Sequence, residues 1–196
     1  MKNLLPFVAT AMLLTFSANS QTKNYATLKV KISNLEIDSL VIMSYKNPYF
    51  KKVIKKDKDG ELQDTLNVKS DKYYVSNCSL FPNGIYLNNN NTDLKISVDA
   101  KLPGKTLQFS GKGANENEFV LSFAKHEENF DYESLLQLNE TEFNNQIEQI
   151  RLNLFAALDK KKYGSDFVVY QTQYLDYFIK LKTETYHTIV DVREEN

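Results

Sequence analysis

The sequence predicts an α+β protein in which an antiparallel β-sandwich or barrel-like domain is followed by a helical hairpin segment. Three observations lead to this prediction. Between residues 25 and 110, apolar and polar residues alternate in short runs, as half-buried strands require. Turn-forming dipeptides separate these runs. Beyond Gly113 the apolar spacing changes to three or four residues, which is typical of amphipathic helices.

The first twenty residues have the features of a cleaved signal peptide. Lys2 supplies the positive start, residues 4–16 are largely apolar, and Ala18 and Ser20 are the small residues of a cleavage site. The apolar stretch is shorter than the ~20 residues of a membrane span. We therefore expect cleavage after Ser20, no membrane anchor after cleavage, and a place in the periplasm or cell envelope. An uncleaved anchor is the alternative.

Composition argues against several classes of function. The net charge of −1 argues against nucleic-acid binding. The single cysteine, Cys78, cannot form an internal disulfide or run a dithiol cycle alone. It is interpreted as a small buried hydrophobe, with a reactive thiol as the alternative. His126 and His187 lie in no cluster with metal-ligand spacing, so no metal and no other cofactor is predicted.

The strands are predicted in order along residues 25–110. Leu28–Ile32 alternates apolar and basic residues, whereas the denser run Leu40–Tyr45 predicts a more buried strand. Leu94–Asp99 and, briefly, Leu107–Phe109 repeat the alternation. The turn signals between them are Asp59-Gly60, Pro82-Asn83-Gly84, Pro103-Gly104 and the polar loop Asn88–Asn91. The lysine-rich stretch at 51–58 is interpreted as a solvated hairpin, with contact to an acidic surface as the alternative.

Helices are predicted after Gly113. Phe119 and Phe123, with Phe130 as a further candidate, begin a helical stripe. Asn139 is predicted to cap the clearest helix, with Glu142 as its reciprocal partner. The apolar face of that helix is Phe143, Ile147, Ile150, Leu154 and Leu158, and its predicted end is Lys160, Lys161, Lys162 and Gly164.

A last helix is predicted from Ser165, its N-cap, to residue 182. Its core stripe would be Phe167, Tyr170, Tyr174, Tyr177 and Leu181, widened by Leu175, Phe178 and Ile179. The predicted organisation is a signal peptide at 1–20, a β-sandwich-like domain at 21–112, and a helical segment of about three helices at 113–196.

No motif in the sequence predicts catalysis. Residues 111–113, Gly-Lys-Gly, lie between a strand and a helix, where backbone N–H groups can hold an anion. They lack the rest of a phosphate-binding motif and are interpreted as a turn. Glu127 and Glu128 beside His126 could suggest acid–base chemistry. Adjacent residues on a helix point in different directions, so a solvated face is the preferred interpretation.

Several stretches together resemble a known family. They are Thr27–Ile32, Asp64–Leu66, Lys72–Val75, Ile85–Leu87 with Asp93–Ile96, and most specifically Phe109–Ala114 followed by Asn117. In this order the chain resembles the N-terminal region of secreted TlpA/ResA-like thioredoxin-fold thiol–disulfide oxidoreductases. In that family a thioredoxin domain with a Cys-x-x-Cys motif follows the helical segment. This sequence contains no such motif and no tryptophan, so the redox chemistry of the family is carried onto no residue here.

The resemblance implies a non-catalytic region, truncated or a fragment, that positions or dimerises a redox domain or binds its substrate protein. The alternative is a stand-alone extracytoplasmic binding module; an enzyme of unrecognised type is a third. Because the last helix has apolar residues on more than one stripe, part of it is expected to need a cover. We expect an interface at Tyr174, Leu175, Phe178 and Ile179, formed with a second copy or with a thioredoxin-like domain.

Overall fold

The structure, a computed structural model, describes residues 25–76, 79–81, 83–89, 93–158 and 162–194. Strands in the first part and helices in the second confirm the α+β prediction. The strands are β1 (Ala26–Ser33), β2 (Ser39–Ser44), β3 (Lys51–Lys55), β4 (Leu62–Leu66), β5 (Asp71–Val75), β6 (Ile85–Leu87), β7 (Asp93–Asp99) and β8 (Gln108–Lys112). They form sheet A, in the order β4-β1-β7-β8, and sheet B, in the order β3-β2-β5-β6.

The core of the sandwich lies between the two sheets. Alternate residues of each strand point inward, as in β1, where Leu28 and Val30 are buried while Lys29 and Lys31 face outward. Inward residues of both sheets then form one apolar cluster. The period of two in the sequence therefore predicts the buried face of β1 correctly.

One strand pair differs from the predicted antiparallel pattern. β1 and β7 pair in parallel along their length, from Thr27 opposite Asp93 to Ser33 opposite Asp99. All other pairs in the described strands are antiparallel. A parallel pair needs a long connection, and here the whole of sheet B, together with β4, lies between β1 and β7 in the chain.

The predicted turn at Asp59-Gly60 joins the two sheets on one side of the sandwich. The Asp57 carboxylate accepts hydrogen bonds from the N–H groups of Asp59 and Glu61, both at 2.9 Å, and Gly60 has a φ of 78°. β3 belongs to sheet B and β4 to sheet A, so this hairpin crosses between the sheets. Lys52 of β3 and Asp64 of β4 form an ion pair of 2.9 Å between the two strands of this hairpin.

The prediction of a more buried strand at Leu40–Tyr45 is only half met. Leu40 and Ile42 are fully buried between the sheets, but Val41 and Met43 point to the outer face of sheet B and stay partly exposed. Tyr45 is 53% exposed and lies beyond the end of β2. An apolar run predicts that both faces of a strand are buried. In the described residues only the inner face of β2 is fully buried.

The segment leading to β8 contains two local features. Pro103-Gly104, predicted as a turn, begins a short helix, α1 (Pro103–Thr106), because proline is well suited to the first helical position.

Gly111 in β8 has a φ of 82°, and a Cβ atom there would lie 2.2 Å from the Asp93 carbonyl oxygen. Gly111 thus permits a close backbone approach between β7 and β8 that no other residue allows without rearrangement.

Four helices follow in the described residues, rather than about three. They are α2 (Ala114–Glu128), α3 (Tyr132–Leu135), α4 (Glu140–Ala157) and α5 (Ser165–Glu194). Phe130, a candidate for the first stripe, lies beyond α2. The last helix is 30 residues long and passes its predicted end at residue 182. None of the described helices is long and apolar enough to cross a membrane.

Helix boundaries follow the sequence signals at some positions and not at others. The reciprocal cap of Asn139 and Glu142 at the start of α4 is confirmed. α4 ends at Ala157, before the predicted lysine end; Lys160 and Lys161 lie outside the described residues. Ser165 is the first residue of α5 rather than its cap, and the preceding Gly164 carbonyl accepts the first helical hydrogen bond.

The helices form a third layer against one part of sheet B. Among the described residues, Tyr86 of β6 is the one sheet residue in the apolar cluster that includes Val120, Phe123, Phe167 and Leu175. A second cluster lies within the helices, where the rings of Phe143 and Tyr186 stack with centroids 3.8 Å apart. Because the first cluster meets the sheet at β6, the helices cover the β5–β6 side of its outer face.

Candidate functional site at the seam between sandwich and helices

The seam, as we call the contact of α2 and α5 with β5 and β6, includes an amide side chain of α2 that is bonded to β6. Tyr86 donates its backbone N–H to Oδ1 of Asn117 at 2.9 Å, and Nδ2 of Asn117 donates to the Tyr86 carbonyl at 3.0 Å. The same Nδ2 donates to the Gly113 carbonyl at 2.8 Å. Asn117 is 1% exposed. It takes the place of a neighbouring strand along the outer edge of β6.

Carboxylates hold the start of α5 to residues that flank β5 and β6 and to α2. Asp166 in its first turn accepts hydrogen bonds from the Asn88 amide at 2.9 Å and from the Ser70 hydroxyl at 3.2 Å. A carboxylate at a helix N-terminus is also favoured by the helix dipole. Glu116 of α2, 6% exposed, accepts a hydrogen bond from the Gly164 N–H at 3.2 Å. Both helices are therefore attached to the sandwich, and to each other, through polar contacts.

A lysine lies among aromatic rings where α2 and α5 meet β5. Nζ of Lys72 is 5.2 Å from the ring centroid of Tyr174 and 5.5 Å from that of Tyr45, within the range of cation–π attraction. Burial lowers the pKa of Lys72, against the attraction of Glu127 and Asp71. Burial also raises the pKa of Glu127, whose carboxylate accepts a hydrogen bond from the Tyr174 hydroxyl at 3.4 Å. We call Lys72, Glu127, Tyr45 and Tyr174 the Lys72 cluster.

The tyrosines of the seam share the effect of burial. Removal from water raises the pKa of Tyr174 and of Tyr86 to about 12, and it raises that of Tyr170 as well.

A second lysine, Lys46, lies next to Tyr170. Its Nζ is 4.9 Å from the ring centroid of Tyr170 and 3.5 Å from a carboxylate oxygen of Asp71. A cavity of about 30 Å³ lies beside Lys72, Glu127 and the buried Gln171, a volume that fits one water molecule.

A second, larger cavity lies between α2, the C-terminal end of α4 and residues 162–163. Its volume is about 410 Å³, within the range of small-molecule sites. Apolar side chains of Phe119, Phe123, Leu154, Ala157 and Tyr163 line it, and Glu118, Ser122, His126 and Lys162 supply polar groups. We call it the α2–α4 groove.

The structure separates the four residues of the expected interface. Leu175 is 0% and Phe178 5% exposed, and both belong to the core of the helix layer. Tyr174 and Ile179 are partly buried against the same core. The four residues of the expected interface are thus covered largely within the chain, which differs from the sequence expectation.

The two C-terminal residues of the supposed core stripe are the exposed ones. Tyr177 is 62% and Leu181 43% exposed. A helix that packs on α2 as well as α4 buries a different set of residues from one that packs on α4 alone. The apolar pattern of α5 is broad enough to fit either set.

The other sequence candidates are dispersed. Gly113 has a φ of 91° and is the N-cap residue of α2. Its carbonyl accepts a hydrogen bond from the Asn117 side chain. His126 and His187 are both exposed, and no three His, Cys, Asp or Glu side chains in the described ranges are placed to hold a metal ion. Cys78 lies outside the described residues.

The sequence alone does not predict the Lys72 cluster. It favours a solvated face for Glu127, Glu128 and His126, but Glu127 points into the seam, while Glu128 and His126 are exposed. The alternation in Asp71–Val75 contained one signal, because it places Lys72 and Tyr74 together on the outward face of β5. The sequence of the strand does not indicate which helix packs against that face.

Comparison with known proteins identifies no relative of this chain. No family model, no curated protein and no solved structure matches it.

Proposed function

We propose that this chain is a non-catalytic, extracytoplasmic module of a TlpA/ResA-like thioredoxin system. Its role is to position or dimerise a redox domain, or to hold the substrate protein of that domain. The family resemblance of residues 109–117 motivates the proposal. The observation that supports it is the attachment of the helix layer to the sandwich through Asn117 and Asp166.

Such an attachment suits a positioning role for a physical reason. In the resembled proteins the helices stand between the β domain and the thioredoxin domain. A redox domain joined to helices that are fixed to the sandwich would keep one orientation. Fixing that orientation in advance lowers the entropic cost of bringing a bound substrate to the redox site.

The proposal is tested with the thioredoxin domain of a TlpA/ResA-like protein joined after residue 196. Insulin disulfide reduction is followed for this fusion, for the free domain and for the chain alone. The chain alone should not accelerate reduction by dithiothreitol, and the fusion should have a lower KM than the free domain. In the fusion, the change Asn117→Ala with Asp166→Ala should move KM back toward that of the free domain. Turnover by the chain alone that Cys78→Ser abolishes would refute the proposal, as would identical kinetics of fusion and free domain.

The extracytoplasmic location is a separate part of the proposal. Intact-mass measurement of the protein from its native host should show a chain that begins at Gln21. A mature protein that retains Met1 would contradict export by cleavage after Ser20.

A stand-alone binding module is the second candidate, and the α2–α4 groove favours it. Ala157 lines this groove, and its neighbour Ala156 is exposed without lining it. The anionic dye 8-anilinonaphthalene-1-sulfonate, whose aromatic rings bind apolar surfaces, should bind the natural chain. Ala157→Trp should abolish binding by filling the groove, whereas Ala156→Trp should not. Since the natural chain has no tryptophan, each variant also reports its own environment by fluorescence. Equal dye binding by both variants would place the dye elsewhere and contradict this role for the groove.

A further inference from the structure

In the part of the chain that the structure describes, sheet B has an apolar outer face that the helix layer does not reach. Val41 and Met43 of β2 and Tyr74 of β5 point to this side and are partly exposed, and Val53 of β3 is 42% exposed. Within the described ranges, none of the four belongs to the apolar clusters inside the sandwich or beneath the helices. We call these four residues the uncovered face.

Strand register makes the uncovered face continuous. Val41 is paired with Val53 across β2 and β3, and Met43 is paired with Tyr74 across β2 and β5. Directly paired residues have neighbouring side chains on the same side of a sheet. The Tyr74 hydroxyl contacts the Met43 sulfur at 3.4 Å, so this pair is in contact as well as in register.

The two long sides of the uncovered face differ. On one side, Tyr45 packs on Tyr74 with ring centroids 5.0 Å apart and leads to the Lys72 cluster under α5. On the other side, edge strand β3 presents Lys51 and Lys55, both exposed and on the same side of the strand as Val53. The face is therefore bounded by the helix layer on one side and by positive charge on the other.

We propose that the uncovered face binds an amphipathic helix of a partner protein, with an apolar stripe against β2 and acidic residues beside Lys51 and Lys55. A helix is the element that already covers the β5–β6 side of sheet B, and one more would extend that layer across β2 and β3. A sheet face of this kind is normally buried against a further layer. The lysines select carboxylates on the flank of the partner helix. The proposal goes beyond the positioning role, because it concerns the sandwich and holds for any partner that carries such a helix.

The test uses two synthetic helical peptides with the mature chain, residues 21–196. Both have leucines at positions i, i+3, i+4 and i+7; one has glutamates on its flanks and the other has lysines. Titration calorimetry at low salt should show binding of the glutamate peptide only, with weaker binding as salt rises. Val41→Thr with Val53→Thr keeps β-branched side chains but removes apolar surface, and it should weaken binding at least tenfold. Leu152→Gln, at an exposed leucine on α4, should not change it.

Charge reversal keeps the test decisive if the threonine variant folds poorly. Lys51→Glu with Lys55→Glu changes two exposed side chains, and it should shift the preference to the lysine peptide. Several results would overturn the proposal: binding of neither peptide at millimolar concentration, equal binding of both, or an unchanged preference after charge reversal. Sedimentation that shows a dimer dispersed by the threonine variant would assign the face to a second copy of this chain instead, which also overturns it.

Discussion

The side chain of Asn117 on α2 pairs with both backbone polar groups of Tyr86 on β6, at 2.9 and 3.0 Å. An edge strand normally leaves such groups open to water or to another chain. Here they are buried under a helix, and one amide satisfies the N–H and the C=O together. The contact protects the edge of β6 and also fixes the angle at which the helix layer meets the sandwich.

Asn117→Ala should lower the free energy of unfolding by about 3 kcal/mol, because it leaves two buried backbone groups without partners. Urea unfolding followed by circular dichroism measures the change. The matched control is Asn153→Ala at an exposed asparagine on α4, which should stay within about 0.5 kcal/mol of the natural chain. A loss below 1 kcal/mol for Asn117→Ala would mean that water replaces the amide at no cost.

Two glycines with positive φ should respond differently to alanine. Gly111→Ala brings a Cβ to within 2.2 Å of the Asp93 carbonyl oxygen, whereas at Gly60, with a φ of 78°, nothing lies within 4 Å. Gly60→Ala should therefore cost only the backbone strain of about 1–2 kcal/mol. Gly111→Ala should cost clearly more, because β7 and β8 must separate. Thermal unfolding of both variants checks the order, and equal costs would contradict the clash.

Alkaline titration should reveal late-ionising tyrosines. Burial raises the pKa of Tyr73, Tyr86 and Tyr174 to about 12 in the folded chain, while unfolded tyrosines lose their protons near pH 10. The folded state then binds more protons than the unfolded state between these values. The free energy of unfolding should accordingly fall as the pH rises from 10 towards 12.

Absorbance at 295 nm measures this ionisation directly. The folded chain should show a delayed phase that disappears in urea, and Tyr86→Phe should remove one tyrosine from it. A folded chain whose tyrosines all ionise near pH 10 would contradict the burial of these hydroxyls.

Substitutions in α5 should separate core from surface. Leu175→Lys places a charge where the side chain is 0% exposed and should unfold the helix layer, at a cost above about 4 kcal/mol. Tyr177→Lys, at a side chain that is 62% exposed, should leave the fold intact. Near-ultraviolet circular dichroism distinguishes the two outcomes. A folded Leu175→Lys variant would restore the sequence expectation that this stripe faces a partner.

The sequence does not show which residues of α5 are buried and which are exposed. Leu175 and Tyr177 both belong to one broad apolar pattern, and no local feature of the sequence distinguishes them. The pattern of α5 has room for two packing solutions, and the contact with α2 selects between them. Glu127 is a similar case, since its neighbours along the chain are solvated while it faces Lys72 across the seam.

By itself, the sequence determined what is local: the alternation in β1 and β7, the turn at Asp59-Gly60, the reciprocal cap of α4, and the change from strand to helix at Gly113. These features depend on side-chain periodicity and on backbone preferences of single residues, which operate over a few positions. Only the tertiary structure decided the parallel pairing of β1 with β7, the Lys72 cluster, and the outer face of β2 that the described helices do not cover. Each of these depends on which segments meet across tens of residues, and that choice is made by the burial of the whole chain rather than by any one stretch of it.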